Sequence, residues 1–288
     1  MVTPALALLA SRIRAEEKWL MAALDQRGVA FDSLDPRRLT FRHETTGPAD
    51  RPPYRIAFLR EISHHRALYA ARLLEHAGVP VVNPAQAVAV CGDKVQTTLA
   101  LRAAGVPTPR GMVALTTEAA LAALDEFGYP CVVKPLIGSW GRLVARLDGP
   151  EAARGVLEHR AALPNPQHAI TYVQEYVDKP GRDIRGLVAG DEVIGAVYRV
   201  AADWRTNTAG SARTRPCPVD GDLDRLLRAA AAAIGPGFYG IDVMEDRDGR
   251  RYVNEINHTP EFRGAAEVLG TNVAARYVDY VTSLLPPD

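Results

Sequence analysis

The chain has 288 residues, an apolar fraction of 47% and equal numbers of basic and acidic side chains, 34 Lys plus Arg and 34 Asp plus Glu. This length allows two or three subdomains, while a formal net charge of zero gives no bulk attraction to nucleic acid or to a membrane surface. The three cysteines are widely spaced without a CxxC motif, which argues against a disulfide framework or structural zinc and favours the reducing cytoplasm.

Short apolar runs alternate with helical patterns over about the first 86 residues. The first run, "ALALLA", has no cationic segment before it and predicts a β-strand rather than a signal peptide. Alternation of strands and helices predicts a small α/β domain with a parallel sheet. Gly28 and Gly78 lie where two of these helices are expected to end.

From Cys91 onward the pattern changes to segregated helices and strands. Helices are predicted around "DKVQTTLALRAAG" and "TEAALAALDEFG", and strands at "YPCVVKPL" and "AITYVQEYV". The segment "GPGFYG", residues 235–240, has the letters of a GxGxxG dinucleotide fingerprint. It follows a predicted helix and opens a strand, the reverse of the required order, so we interpret its glycines as loop residues.

The segment "YGIDVMEDRDGRRYVNEIN" predicts a hairpin with Asp248-Gly249 as a two-residue turn. That register places Asp242 opposite Glu255, at a Cβ separation of roughly 5 Å where like charges repel. Since side chains alternate along a strand, Glu255 and Asn257 are predicted on one face and Asn254 on the other. Such oxygen donors favour Mg²⁺ or Mn²⁺, and the alternative is a solvated face with splayed carboxylates.

A lysine ends the apolar run "YPCVVKPL", where a solvated side chain has little reason to lie. We therefore expect Lys134 to contact an anion. The glycine-containing loop that follows, residues 138–142, can direct backbone N–H groups at phosphates. A surface hairpin with incidental basic residues is the alternative. Lys94, in "CGDKVQTT", supplies a second lysine.

The segment "QEYVDKPGRDIR" follows a predicted strand. Backbone groups of residues 175–177 can bind an adenine edge there. Asp183 is placed to accept a hydrogen bond from a ribose, and Arg185 to balance charge. Each observation is weak in isolation because charged clusters usually form solvated surface.

In chain order these motifs resemble the ATP-grasp superfamily, and the chain is similar to its RimK-type ligases. The nearest pattern is that of the LysX group, which couples 2-aminoadipate to a small acidic amino-group carrier protein. "CGDK", "KPLIGSWGRL", "QEYVDKPGRDIR" and "NEINHTPEF" carry the match, which extends over essentially the whole chain. It implies an α/β and α+β architecture, the ATP-grasp fold with an N-terminal Rossmann-like domain. The implied domains are residues 1–88, a central subdomain at 89–173 and a C-terminal subdomain with the metal site at 174–288.

The resemblance also implies a set of site residues. Those implied to bind ATP are Lys94, Lys134, Gly138, Ser139, Trp140, Gly141, Arg142, Gln174, Glu175, Tyr176, Val177, Asp183, Arg185 and Asn207. Two Mg²⁺ ions, with Mn²⁺ possible, are implied at Asp242, Glu255 and Asn257. Lys134 and Arg199 are implied to be catalytic. The residues implied to contact the transferred group or the amino acid are Arg199, Glu261, Phe262, Arg263, Gly264 and Ala265.

The implied reaction has two steps. A carrier carboxylate attacks the γ-phosphate of ATP to give an acyl phosphate, which the α-amino group of an amino acid then attacks to form an amide. No general base is identified: His258 is one candidate, and a structural role is the alternative. A homo-oligomer, dimer or tetramer, is expected. Arginines expected to bind the acidic carrier are Arg12, Arg14, Arg60, Arg66 and Arg142.

The sequence leaves the substrates open. "EFRGAA" combines the glycine expected of glutamate-specific relatives with the small residue expected of 2-aminoadipate-specific ones, so both amino acids, or a relative, remain candidates. One alternative is a RimK-like ligase that acts on a free peptide or another protein tail. A second is a regulatory protein that binds Mg-ATP without catalysis.

Overall fold

The computed structural model describes residues 5–42, 52–138, 141–201, 203–205 and 213–285, in which three β-sheets organise the chain. Three of the residues proposed from sequence to bind nucleotide, Ser139, Trp140 and Asn207, lie outside these ranges. No helix in the described part is long and apolar enough to cross a bilayer.

The first sheet is parallel, as the sequence predicts, with strand order β2-β1-β3-β4. Its strands are β1 (Leu6–Leu9), β2 (Phe31–Leu34), β3 (Ile56–Leu59) and β4 (Val81–Val82). The two central strands, β1 and β3, are buried along their whole length, which explains why their sequences are continuously apolar rather than alternating.

Helices connect these strands and cover the sheet. They are α1 (Ala15–Gln26), α2 (His64–His76) and α3 (Ala85–Gly92). Gly28 and Gly78 follow α1 and α2 with φ of +66° and +77°, left-handed values that glycine adopts without steric cost. Both predicted helix ends are therefore confirmed.

The second sheet is antiparallel, with order β5-β8-β6-β7. Its strands are β5 (Gly111–Ala114), β6 (Cys131–Lys134), β7 (Ala145–Leu147) and β8 (Thr171–Glu175). Helix α4 (Lys94–Ala103) precedes β5, and α5 (Thr117–Phe127) and α6 (Pro150–Ala161) pack on this sheet. Cys131, Val133 and Val173 pack in a core with residues of α5 and α6, so the alternate residues of β6 and β8 face the other way. The proposed domain boundary at 173/174 falls within β8.

The third sheet is antiparallel, with order β11-β10-β9-β12-β13. Its strands are β9 (Arg182–Ala189), β10 (Glu192–Val200), β11 (Arg213–Cys217), β12 (Phe238–Glu245) and β13 (Arg251–Asn257). The helices that follow its strands are α7 (Gly221–Ile234), α8 (Arg263–Ala266) and α9 (Val273–Ser283). Because α7 ends at Ile234 and β12 begins at Phe238, "GPGFYG" lies between a helix and a strand, as predicted.

The two faces of the third sheet differ in chemistry. One face packs on α7 through Ile184 and Val188. The other face is apolar at one end, where Leu187 and Phe238 join a core shared with the N-terminal sheet and α9. The rest of that face carries the charged residues of the candidate site.

Candidate active site

A cleft of about 690 Å³ opens between the second and third sheets. Lys94, Val132, Lys134 and Gln174 line it from the side of the second sheet, and Asp183, Met244, Asn254 and Glu255 line it from the third. Residues 175–177, predicted to bind adenine, also line it.

Lys134 is the last residue of β6 and only 7% exposed. Its Nζ donates hydrogen bonds to Gln174 Oε1 at 2.6 Å and to Asn254 Oδ1 at 2.8 Å. Burial lowers the pKa of Lys134 to about 7, although the charge of Glu255 opposes this shift. A buried ammonium whose two hydrogen-bond acceptors are neutral amides is well suited to attract a phosphate.

The hairpin between β12 and β13 differs from the prediction at its turn. Glu245 pairs with Arg251, and the Asp246 amide donates to the Arg250 carbonyl at 3.0 Å, so the connection is a three-residue loop at 247–249, with Gly249 at φ of +80°, rather than a two-residue turn. This shifts the register by one residue. The predicted pairing of Asp242 with Glu255 is nevertheless confirmed, because a bulge beyond Val243 and Val253 shifts the register back.

Asn254 is the additional residue in that bulge. A bulge interrupts the alternation of side chains, so Asn254 and Glu255 both line the cleft instead of lying on opposite faces. The predicted orientation of Asn254 is therefore wrong. Its amide reaches across the cleft to Lys134 and joins the second sheet to the third.

Two carboxylates and two guanidinium groups form a buried network on the charged face of the third sheet. Arg199 donates to Asp183 through two nitrogens, at 2.7 and 2.8 Å, and contacts Asp242 Oδ2 at 3.0 Å. Arg185 also pairs with Asp242. Strand register explains the network, because Asp183 lies opposite Arg199 and Asp242 lies opposite Arg185.

The network neutralises charge inside the protein. Burial opposes the ionised form of Asp242, but Arg185 and Arg199 hold the pKa of this carboxyl below its usual value. Burial likewise disfavours the charged form of Arg199, yet Asp242 and Asp183 raise its pKa. Asp183 and Arg199, predicted to contact ribose and substrate, are thus bonded to each other.

The proposed metal ligands lie together toward the open end of the β12–β13 hairpin, away from its turn. Asp242 is opposite Glu255, and Asn257 is opposite Gly240, to whose carbonyl it donates a hydrogen bond of 3.4 Å. Two carboxylates and one amide are hard oxygen donors, which fits Mg²⁺. Among the residues that the structure describes, no group of three or more His, Cys, Asp or Glu side chains is arranged to hold a metal. The predicted metal site therefore requires the Asn257 amide as its third donor.

Other predicted nucleotide contacts lie at the mouth of the cleft. Lys94 donates to the carbonyl of Gly138 at 3.0 Å, and Gly141 and Arg142 line the same opening. The Tyr176 ring lies 4.2 Å from the Arg146 guanidinium.

Sequence reasoning missed several residues of the cleft lining, among them Lys179 and Trp204. Lys179 lies within the quoted motif "QEYVDKPGRDIR", so its position there is a signal that could have identified it. Burial lowers its pKa. Trp204 precedes "RTN" and lies 6.1 Å from the Tyr176 ring, a contact that no local pattern indicates.

The segment proposed to contact substrate has mixed surroundings. Phe262 and Ala265 are buried in the apolar core, so an influence on substrate would act through the position of their backbone. Glu261 pairs with Arg14 at 3.1 Å, and Arg263 pairs with Glu267 at 3.0 Å. A Cβ at Gly264 would lie 2.8 Å from Thr214 Oγ1, on β11.

One arginine predicted to bind a carrier cannot do so. Arg60 has no exposed surface, donates to Glu17 at 3.0 Å and donates to the Pro260 carbonyl at 3.1 Å. The prediction for Arg60 is therefore wrong, because it supports the core rather than the surface. Burial, with the nearby His64 and Arg60, lowers the pKa of His258 to about 3, which makes its imidazole a weak base.

Comparison with known proteins gives consistent matches along the chain. Residues 6–90 match the LysX preATP-grasp domain, and residues 91–281 match the RimK-like ATP-grasp domain. The glutamate–LysW ligase ArgX of Sulfolobus acidocaldarius is 36% identical over 279 residues, covering 96% of this chain and 97% of the relative. The alpha-aminoadipate–LysW ligase LysX of Saccharolobus solfataricus is 39% identical over 216 residues, covering 75% and 78%. A crystal structure of a RimK domain ATP-grasp protein from Sphaerobacter thermophilus superposes with a TM-score of 0.80 at 28% identity, covering 96% of this chain and 98% of that one.

Proposed function

The chain belongs to the RimK-like ATP-grasp family, and from this premise we propose that it attaches an amino acid to a small amino-group carrier protein. It is an ATP-dependent ligase that forms a carbon–nitrogen bond. The acceptor carboxylate is the side chain of a C-terminal Glu of the carrier, and the amine is the α-amino group of glutamate, 2-aminoadipate or a relative. The names of the ArgX and LysX relatives support LysW-type carrier and amino-acid substrates, with glutamate and 2-aminoadipate as the amino-acid candidates.

One observation supports this proposal most directly. In one cleft, the buried Lys134 ammonium lies against Asn254, the neighbour of Glu255, which in turn pairs with Asp242. A cation for phosphate and the Glu255 carboxylate therefore line the same space, and a second carboxylate lies directly opposite Glu255 on the hairpin, a combination suited to phosphoryl transfer. An unrelated small-molecule pocket would have no need of this combination.

In this proposal, the second sheet binds ATP directly and the third sheet binds the metal ions. Lys134 and Lys94, with the loop at 138–142, bind phosphates, while residues 175–177 bind adenine. Asp242, Glu255 and Asn257 hold two Mg²⁺ ions, for which Mn²⁺ can substitute. Bound Mg²⁺ neutralises phosphate charge. Arg199 moves from its carboxylate partners to the transferred phosphoryl group or to the amino acid.

The proposed reaction consists of two displacement steps. A carboxylate oxygen of the carrier attacks the γ-phosphorus, the bond to the bridging oxygen breaks, and ADP leaves. The amine nitrogen then attacks the acyl carbon, phosphate leaves with the bonding electron pair, and the nitrogen loses a proton. Positioning of the two substrates and charge neutralisation supply most of the rate acceleration.

The test is ATP-dependent mass gain on a candidate carrier with a panel of amino acids, followed by mass spectrometry and ADP release. A carrier heavier by one amino acid residue, with one ADP per bond, is the expected result. Mass gain on a free peptide but not on the carrier would favour the peptide ligase. Mg-ATP binding without ADP release in any combination would favour the regulatory protein.

We also propose a cytoplasmic, homo-oligomeric protein, a dimer or tetramer, with the domain limits given above. Light scattering coupled to gel filtration measures the oligomeric state, and a mass equal to the 31.2 kDa chain would contradict it.

A further inference from the structure

The segment "GPGFYG" lies where the N-terminal sheet meets the β12–β13 hairpin, and one side chain joins the two. Asn83 directly follows β4 and is 1% exposed. Its Oδ1 accepts from the Phe238 amide at 2.6 Å, and its Nδ2 donates to the carbonyls of Phe238 at 2.8 Å and His258 at 2.7 Å. One carboxamide from the N-terminal domain thus bonds the first residue of β12 and the residue after β13.

Gly237 makes this contact possible. A Cβ there would lie 2.6 Å from Asn83 Oδ1 and 2.5 Å from the Tyr239 hydroxyl, closer than side chains tolerate. Gly237 is not among the glycines with positive φ, so its backbone does not require glycine. The absence of a side chain at this position therefore serves close approach.

The bonded residues lie beside the proposed metal ligands. Phe238 is two residues before Gly240, which pairs with Asn257, and His258 directly follows Asn257. Asp242 is two residues further along β12 on the same face. By holding the open end of the hairpin, Asn83 fixes the offset between the strand that carries Asp242 and the strand that carries Glu255 and Asn257.

We propose that Asn83 is a positioning residue for the metal ligands, so that a side chain of the N-terminal domain sets the geometry of the hairpin that carries them. The inference rests on the proposed function, in which this hairpin holds Mg²⁺. Only an amide matches the partners: two carbonyls need donors and one N–H needs an acceptor. Aspartate would retain the acceptor, lose both donors and bury a charge.

The experiment compares Asn83→Ala, Gly237→Ala and the double variant, with Arg27→Ala as the matched control. Arg27 also joins the N-terminal domain to α9, through Asp279 at 2.6 Å, but its partners lie far from the hairpin ligands in sequence. Mg²⁺ affinity is measured by calorimetry in the presence of a non-hydrolysable ATP analogue. Hydrogen exchange of the Phe238 amide reports the joint itself, without turnover.

We expect each single variant to weaken Mg²⁺ binding about 10-fold, as loss of a supporting partner typically does. The double variant should add little, because both changes break one contact. Exchange at Phe238 should accelerate in all three and stay unchanged in Arg27→Ala. Faster exchange with wild-type Mg²⁺ affinity would overturn the positioning role alone. A wild-type protein that binds no Mg-nucleotide would overturn the proposed function, and the inference with it.

Discussion

The two walls of the cleft hold their charges in different ways. On the second sheet, Lys134 is buried, and its ammonium group donates to two neutral amides, Gln174 and Asn254. On the third sheet, Asp183 and Asp242 are bonded to Arg185 and Arg199. The first wall therefore has a cation whose charge state depends on a ligand, whereas Asp183 and Asp242 of the second are neutralised by neighbouring arginines. A nucleotide should change the protonation of the first wall and the ion partners of the second.

Variants of the second wall should have the larger effect, and Glu255→Ala the largest. Glu255 lies opposite Asp242 and is not fully buried, so the strand pairing should survive its loss while a metal ligand disappears. We expect turnover to fall by roughly 10³-fold or more, on the scale of losing a main electrostatic group. Carrier-dependent ADP release and thermal unfolding together measure this.

Glu267→Ala provides the matched control, because that glutamate pairs with Arg263 on the surface. Near wild-type ADP release by Glu255→Ala would remove it from the metal site. A large fall in unfolding temperature would instead indicate a structural role.

Arg199→Lys tests whether neutralisation of Asp183 and Asp242 requires the several donors of a planar guanidinium group. Lysine keeps the charge but cannot bond both oxygens of Asp183 and also reach Asp242. We expect kcat to fall by about 10²-fold with little change in the KM for ATP, the loss of one transition-state contact. Equal loss in Arg185→Lys would assign the effect to Asp242 rather than to a specific role of Arg199.

Lys134→Met should act mainly on ATP binding, with a smaller effect than Glu255→Ala. The pKa of Lys134 lies near 7, below its ordinary value of 10.5, because of burial. Bound phosphates favour the ammonium form and raise this pKa. ATP binding should therefore take up a proton above about pH 7, and the uptake should fade below pH 7, where the lysine is already charged.

Calorimetry of ATP binding in buffers of different ionisation enthalpy measures this uptake. Lys134→Met should lose the uptake and bind ATP about 10-fold more weakly, which corresponds to roughly 1.4 kcal/mol. Lys18→Met, which alters an exposed lysine of α1, should retain both. If Lys134→Met binds ATP as tightly as the wild-type protein, Lys134 does not contribute to ATP binding.

Folding stability provides a second measure of the same shift. Because the native pKa of Lys134 is lowered, the buried ammonium destabilises the fold most fully below about pH 7. The cost shrinks as the pH rises from 7 towards 10.5, where the unfolded lysine also loses its proton. The stability gained by Lys134→Met should therefore be larger at pH 6 than at pH 9.

The contrast between the walls also explains what the sequence could predict. Lys134 at a strand end is a local pattern, so its position was predictable. The pairing of Asp242 with Glu255 was predicted correctly although the turn was wrong, since the three-residue loop and the Asn254 bulge cancel. The contacts of Arg185 and Arg199 depend on which strands become neighbours in the third sheet, and Asn83 acts across 155 residues. No local periodicity contains that information.

The smallest expected effect concerns Gly264, at the edge of the second wall. A Cβ at position 264 would lie against Thr214, which is opposite Arg199 in the pairing of β10 with β11. A substitution at 264 can therefore displace Arg199, which is proposed to contact the substrate. In Gly264→Asn the added amide can hydrogen-bond a distal carboxylate, which should change the ratio of kcat/KM for glutamate and 2-aminoadipate. Glutamate and 2-aminoadipate differ by one methylene group, which changes the free energy of discrimination by about 1–3 kcal/mol, so the change in substrate preference should be partial. Gly264→Ala separates the causes, because it displaces Thr214 without supplying an amide. A ratio altered equally in both variants would assign the effect to Thr214, and a ratio altered in neither would exclude this segment from amino-acid selection.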